Sequence, residues 1–99
     1  MPVTNVITAI VTAYCSCKIC CGPNAKGIAA NGHKPTPNYT VAASRSIPFG
    51  SKVLFDKKTF VVEDRLAKRY DSRIDVFFNT HEEAKKFGKQ TKQVTIITK

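Results

Sequence analysis

Two aspartates and four cysteines are the residues of this 99-residue chain whose placement points to chemistry. Asp75 interrupts Arg73-Ile74-Asp75-Val76-Phe77-Phe78, an otherwise strongly apolar run, where a charge is costly unless it is paired or used. Asp64 directly follows a second apolar run that ends at Glu63. Two carboxylates carried onto one surface can share acid and base work, provided that their surroundings set their pKa values apart. The competing reading of Asp75 is a strand-surface ion pair with Arg73 or Arg65, because alternation places Asp75 on the side of Arg73 and Phe77. Asp56 and Asp71 fall in polar turns and read as solvated.

The cysteines form a dense local cluster: Cys15, Cys17, Cys20 and Cys21, in the run C-S-C-K-I-C-C. Joining the neighbours Cys20 and Cys21 is strained, since adjacent Cα atoms sit ~3.8 Å apart and a disulfide wants at least ~4.4 Å. Cys15–Cys20 with Cys17–Cys21, or Cys15–Cys21 with Cys17–Cys20, are the pairings left. A zinc site is the competing state: Cys17-x-x-Cys20 has structural-zinc spacing, Cys15 can join it, and His33 is the distant ligand on offer. Disulfides are the preferred expectation, with redox compartment deciding. Nothing in the sequence places His33 beside a cysteine as a nucleophile pair, and His81, next to Thr80 at a helix start, reads as a surface residue.

The elements that must position these groups are mostly strands. Val6–Tyr14 alternates strictly and is rich in β-branched residues, which predicts a strand with Val6, Thr8, Ile10, Thr12 and Tyr14 on one face. Further strands are predicted at Thr40–Ala43, Lys52–Phe55, Thr59–Glu63, Ile74–Phe78 and Gln93–Thr98, with Asp56-Lys57-Lys58 as a hairpin loop and Ile47-Pro48-Phe49-Gly50 as a turn. One helix is expected between the last two strands. Thr80 and Glu83 form a capping box, Gly88 stops the helix, and Ala84 and Phe87 make its apolar side. The segment from Cys15 to Tyr39 is irregular, and a loop that long in so short a chain is functional or covalently tied.

Composition sets the class. A chain of 99 residues is read as one folded unit spanning its whole length, too short to divide around two cores. With 42% hydrophobic and 23% charged residues it is neither disordered nor fibrous. No apolar run approaches the ~18 residues of a membrane span, and the N-terminus carries no basic residue before Lys18, so no secretory signal is read there. The formal charge of +9 calls for a polyanionic partner: nucleic acid, an anionic membrane or an anionic wall polymer. Nucleic acid is the least favoured, because the basic residues are scattered lysines without a basic helix or interleaved aromatics.

Six segments occur in one order: Val11-Thr12-Ala13-Tyr14, Gly27-Ile28-Ala29-Ala30-Asn31-Gly32, Val41 to Val53, Val62-Glu63-Asp64, Arg73 to Phe78, and His81 to Gly88. Together they resemble the 3D (three-aspartate) domain family, and the likeness runs from Val11 to Gly88. The resemblance implies a small double-psi β-barrel of about six strands with one short helix near the C-terminus. It is similar to the catalytic domain of membrane-bound lytic transglycosylase A and to rare lipoprotein A and expansin-like domains. Asp64 and Asp75 match the family's second and third aspartates. The first departs, because the stretch reads Ala42-Ala43-Ser44-Arg45 where the family has an Asp-Pro pair after the small residues.

What the resemblance implies is lytic cleavage of peptidoglycan glycan strands without a required cofactor. In such a reaction the sugar's own C6 hydroxyl attacks the anomeric carbon with the advantage of an intramolecular nucleophile, so one carboxyl suffices as acid and then base. Asp75 is the candidate for that role, with Asp64 raising its pKa by like-charge repulsion and Arg65 and Arg73 acting against it. Tyr14 either stacks on a sugar or serves as a core tyrosine. Ser44, Arg65 and Arg73 complete the substrate-binding candidates. Two other functions compete: a non-catalytic expansin-like wall-binding module, and a zinc- or redox-linked cytosolic module using the cysteines. The expected setting is a monomer at the cell wall or periplasm, supplied by a phage or prophage or as a part of a longer exported protein.

Overall fold

The structure, a computed structural model, describes residues 3–15, 29–66 and 73–99. Cys17, Cys20, Cys21, Asp71 and the Gly27-Ile28 start of one family-like segment lie outside these residues. Six strands are present among the described residues: β1 (Val3–Tyr14), β2 (Thr40–Ala43), β3 (Lys52–Phe55), β4 (Lys58–Arg65), β5 (Arg73–Phe77) and β6 (Gln90–Thr98). They close into a barrel in the order β1-β5-β2-β4-β3-β6. The pairs β1/β5 and β2/β4 are parallel and the others antiparallel. This is the mainly β fold expected from the alternating apolar pattern.

Alternation explains the interior. Ala9 and Val11 of β1, Val41 and Ala43 of β2, Val53 and Phe55 of β3, Phe60 and Val62 of β4, Ile74 and Val76 of β5, and Val94 and Ile96 of β6 form one buried cluster. Phe55 and Phe60 stack inside it, with ring centroids 4.5 Å apart and planes 11° from parallel. The residues between them on β1, β2 and β5 point to the other face, where Tyr14, Ala42, Leu66 and Phe77 make a second, smaller buried cluster. Tyr14 meets Phe77 edge to face there, at 5.4 Å.

Several boundaries differ from the expected ones because pairing carries a strand beyond its apolar core. β1 begins at Val3, opposite Thr98, and β6 begins at Gln90, opposite Val11, so polar ends are held by the ladder rather than by burial. β4 runs on to Arg65, which puts Asp64 inside the strand instead of after it. The helix α1 (His81–Phe87) follows its local signals. Glu83 N–H donates to Thr80 Oγ1, the Thr80 hydroxyl donates to Glu83 Oε1, and Gly88 closes the last turn at φ 68°. Ala84 is buried, and Phe87 packs with Phe78 against the barrel core.

The β3–β4 hairpin has a two-residue loop, Asp56-Lys57, since Phe55 pairs with Lys58. Both loop residues have positive φ, 51° and 62°, the geometry of a type I′ turn that normally calls for asparagine and glycine. Asp56 also holds Lys92 of β6 at 3.0 Å. Replacing Lys57 with glycine relieves the left-handed backbone strain and is expected to stabilise the fold by about 0.5–1 kcal/mol. A urea titration should show a higher midpoint with an unchanged slope.

Candidate functional site

The two aspartates arrive on one rung by different routes. Asp75 lies at mid-strand in β5, opposite Thr12 of β1 on one side and Ala42 of β2 on the other. On the far side of Ala42 its β4 neighbour is Asp64. Strict alternation from Phe60 and Val62 would send Asp64 into the barrel interior. A register shift between Val41 and Ala42 prevents this: Val41 pairs with Val62 but Ala42 with Asp64, so one extra β4 residue, Glu63, is inserted. Such a bulge re-aims the side chain that follows it, and here it turns Asp64 to the outer face that also carries Thr12, Tyr14 and Asp75. The backbones of Asp64 and Asp75 are two strand spacings apart, about 10 Å.

Their surroundings differ. Among the described residues Asp64 accepts three hydrogen bonds: from the Tyr14 hydroxyl at 2.7 Å, from the Ala30 N–H at 2.9 Å and from the N–H of its neighbour Arg65 at 2.9 Å. Asp75 accepts from the Thr12 hydroxyl at 3.1 Å. Its pKa is pushed up to about 6 from an ordinary 3.8, chiefly by burial. The Thr12 hydrogen bond pulls it down, the Asp64 charge pushes it up, and the Arg73 charge pulls it down again. The expected like-charge push from Asp64 is therefore present but secondary, and the arginine effect comes from Arg73 without reversing the shift. A carboxyl of this kind exchanges its proton near neutral pH, which suits a group that must give and retake one.

The other candidates take distinct places. Tyr14 is nine-tenths buried, with its ring packed in the second cluster as a core tyrosine and its hydroxyl donating to Asp64. Arg65 pairs with Ala43 rather than Ala42, out of phase with Asp64. Its guanidinium lies 3.9 Å over the Phe49 ring and donates to the Ser44 carbonyl at 3.4 Å. The Ser44 hydroxyl contacts Ser46 Oγ at 3.0 Å and accepts from the Ser46 N–H at 3.2 Å, so it shapes the turn after β2. Arg73 lies two residues before Asp75 on β5, opposite Ile10. Cys15 is buried just past β1, and His33 is exposed in the turn after Ala30. Among the described residues no group of three histidine, cysteine or acidic side chains converges on a metal position; three of the four cysteines fall outside them. No helix among the described residues is long and apolar enough to cross a membrane.

Thr12, Ala30 and Glu63 are not singled out by sequence reasoning. Thr12 shares the Tyr14 face of β1, which the alternation shows, but its partner is 63 positions away. Ala30 acts through its backbone, which no side-chain pattern reveals. Comparison of the chain with models of known protein families gives no match, and comparison with curated proteins gives none either.

Proposed function

We propose that this chain is a lytic transglycosylase acting on peptidoglycan glycan strands, built on a double-psi β-barrel of the 3D-domain type, with Asp75 as its single acid and base. The observation that carries the reading is the half-buried Asp75 carboxyl, held by the Thr12 hydroxyl and set on the same rung as Asp64, which the Tyr14 hydroxyl and the Ala30 and Arg65 N–H groups hold. In its protonated form Asp75 gives its proton to the glycosidic oxygen as the bond to the anomeric carbon breaks. The C6 hydroxyl of the same sugar attacks that carbon, and the Asp75 carboxylate takes the hydroxyl proton. The products are a free hydroxyl on the leaving sugar and an anhydro ring, and no water is consumed. Asp64, fixed by three donors, supplies negative charge on the face where the oxocarbenium-like carbon carries positive charge. The overall charge of +9 favours an anionic wall as the partner, at the wall or on a phage particle.

Asp75→Asn is expected to lower anhydro-muropeptide release from purified walls by roughly 10²–10⁴-fold while sedimentation with the wall is unchanged. One observation favours a second reading. Ala42 stands between the two aspartates, in the stretch where the family carries its first carboxylate. A wild-type protein that sediments with walls and releases nothing is a non-catalytic wall-binding module.

A further inference from the structure

The inserted residue of the β4 bulge is tied to more groups than a bulge requires. Glu63 Oε1 accepts from the Thr40 hydroxyl at 2.6 Å, Oε2 from the Asn31 side-chain amide at 3.4 Å, and its carbonyl from the Asn31 N–H at 3.1 Å. Thr40 is fully buried, and its oxygen also accepts the Thr36 N–H at 2.8 Å. Asn31 belongs to a tight turn closed by the Ala29 N–H on the His33 carbonyl at 2.8 Å. Within it Asn31 Oδ1 accepts from the His33 N–H at 3.0 Å, and Gly32 takes φ 89°. Ala30, the residue before Asn31, donates its N–H to Asp64, the residue after Glu63. Two adjacent residues of β4 thus hold two adjacent residues of the turn. The chemistry asks for glutamate in particular, since Thr40 and Asn31 both present donors and a carboxylate is acceptor-only.

We propose that Glu63 is a positioning residue: it docks the Ala29–His33 turn so that the Ala30 N–H and the Tyr14 hydroxyl clamp the Asp64 carboxylate on the rung it shares with Asp75. The docking stands on the geometry alone, and only its catalytic consequence rests on the function proposed above. Glu63 then acts on the reaction through Asp64, by keeping that charge fixed beside the acid.

Exchanging the two groups tests this. Glu63→Gln sets an amide N–H against the donor of Thr40 or Asn31, and Asn31→Asp sets one carboxylate against another. The double variant swaps amide and carboxylate and restores one donor to one acceptor, with the second Asp oxygen left for the His33 N–H. The readouts are hydrogen exchange at the Ala30 amide and the titration midpoint of the Asp75 carboxyl by carbon NMR. Each single variant should speed Ala30 exchange by about tenfold or more, as losing a charge-assisted hydrogen bond implies. Glu63→Gln should also move the Asp75 midpoint down toward that of Asp64→Asn, whereas the carboxylate added by Asn31→Asp pushes that midpoint up in its own right, so that for this variant exchange is the readout; the double variant should recover both values. Unchanged single variants, or a folded double variant that recovers neither value, overturn the proposal. So does a wild-type Ala30 amide that exchanges as fast as an unstructured one, which needs no variant. The pH profile of wall cleavage should follow the same pattern. Wild-type inactivity on walls would count against the transglycosylase reading and leave exchange and titration to decide this one.

Discussion

Asp75→Asn should make this barrel more stable at neutral pH, by about 2–3 kcal/mol, as it removes the candidate acid. The folded state raises the Asp75 pKa to about 6 from 3.8, so between those values the folded protein binds a proton that the unfolded chain has released. Stability from this group is fully present below about pH 4 and is lost as pH rises through about 6. Across that window the loss is about 1.4 kcal/mol per pH unit. Asparagine is neutral throughout and offers Oδ1 to the Thr12 hydroxyl, so it escapes the cost of a buried charge. Urea midpoints of both proteins should agree near pH 4, separate between about pH 4 and 6, and stay apart above. At neutral pH the variant's melting temperature should be about 10 °C higher. A gap that is constant across this range would mean that Asp75 does not titrate as described. Loss of activity combined with gained stability marks a side chain kept for chemistry rather than for the fold.

Phe60→Ala should have the largest effect in the opposite direction. Phe60 is 2% exposed and stacked on Phe55 at 4.5 Å in the middle of the barrel core. Removing the ring forfeits its burial and its stacking and leaves a cavity, because a closed barrel cannot collapse by shifting one wall alone. The expected cost is about 3–5 kcal/mol, against a total stability of about 5–15 kcal/mol for a small domain. The melting temperature should fall by on the order of 20 °C. Phe49→Ala is the control, since Phe49 is 36% exposed and its described ring contact is the Arg65 guanidinium. It should cost about 0.5–1 kcal/mol. Comparable losses from the two substitutions would contradict the packing described for the interior.

The parts of the fold that the sequence reveals are those set by short-range rules. Period two marks the strands because each needs one face inside, and the Thr80–Glu83 box marks the helix start because a cap is a contact between residues three apart. The Asp56-Lys57-Lys58 stretch is visible as a hairpin connection, but not its tightening to a two-residue type I′ turn with Lys58 in the strand, since neither Asp56 nor Lys57 is the glycine that would announce it. Asp75 stands out because a charge in an apolar strand violates the pattern. Asp64 is harder to place: the alternation through Phe60 and Val62 predicts the wrong face, and the bulge that corrects it depends on pairing with β2, which begins 24 positions before Asp64. The dominant cause of the raised Asp75 pKa, its burial, is likewise a property of the assembled strands, so the sequence points to Asp64 first.

Among the described residues β1 enters into ladders with strands that come late in the chain, Arg73–Phe77 and Gln90–Thr98. It carries no charged side chain from Val3 to Tyr14, and it is long, β-branched and free of proline. As the polypeptide emerges during synthesis, this segment waits for both of its neighbours with nothing in its own sequence to discourage pairing with another chain. Non-local closure of this sort is slow, and the waiting period exposes the molecule to aggregation. The yield of soluble protein should therefore depend on expression rate and temperature, even though the finished barrel buries the Ala9 and Val11 side chains of that strand.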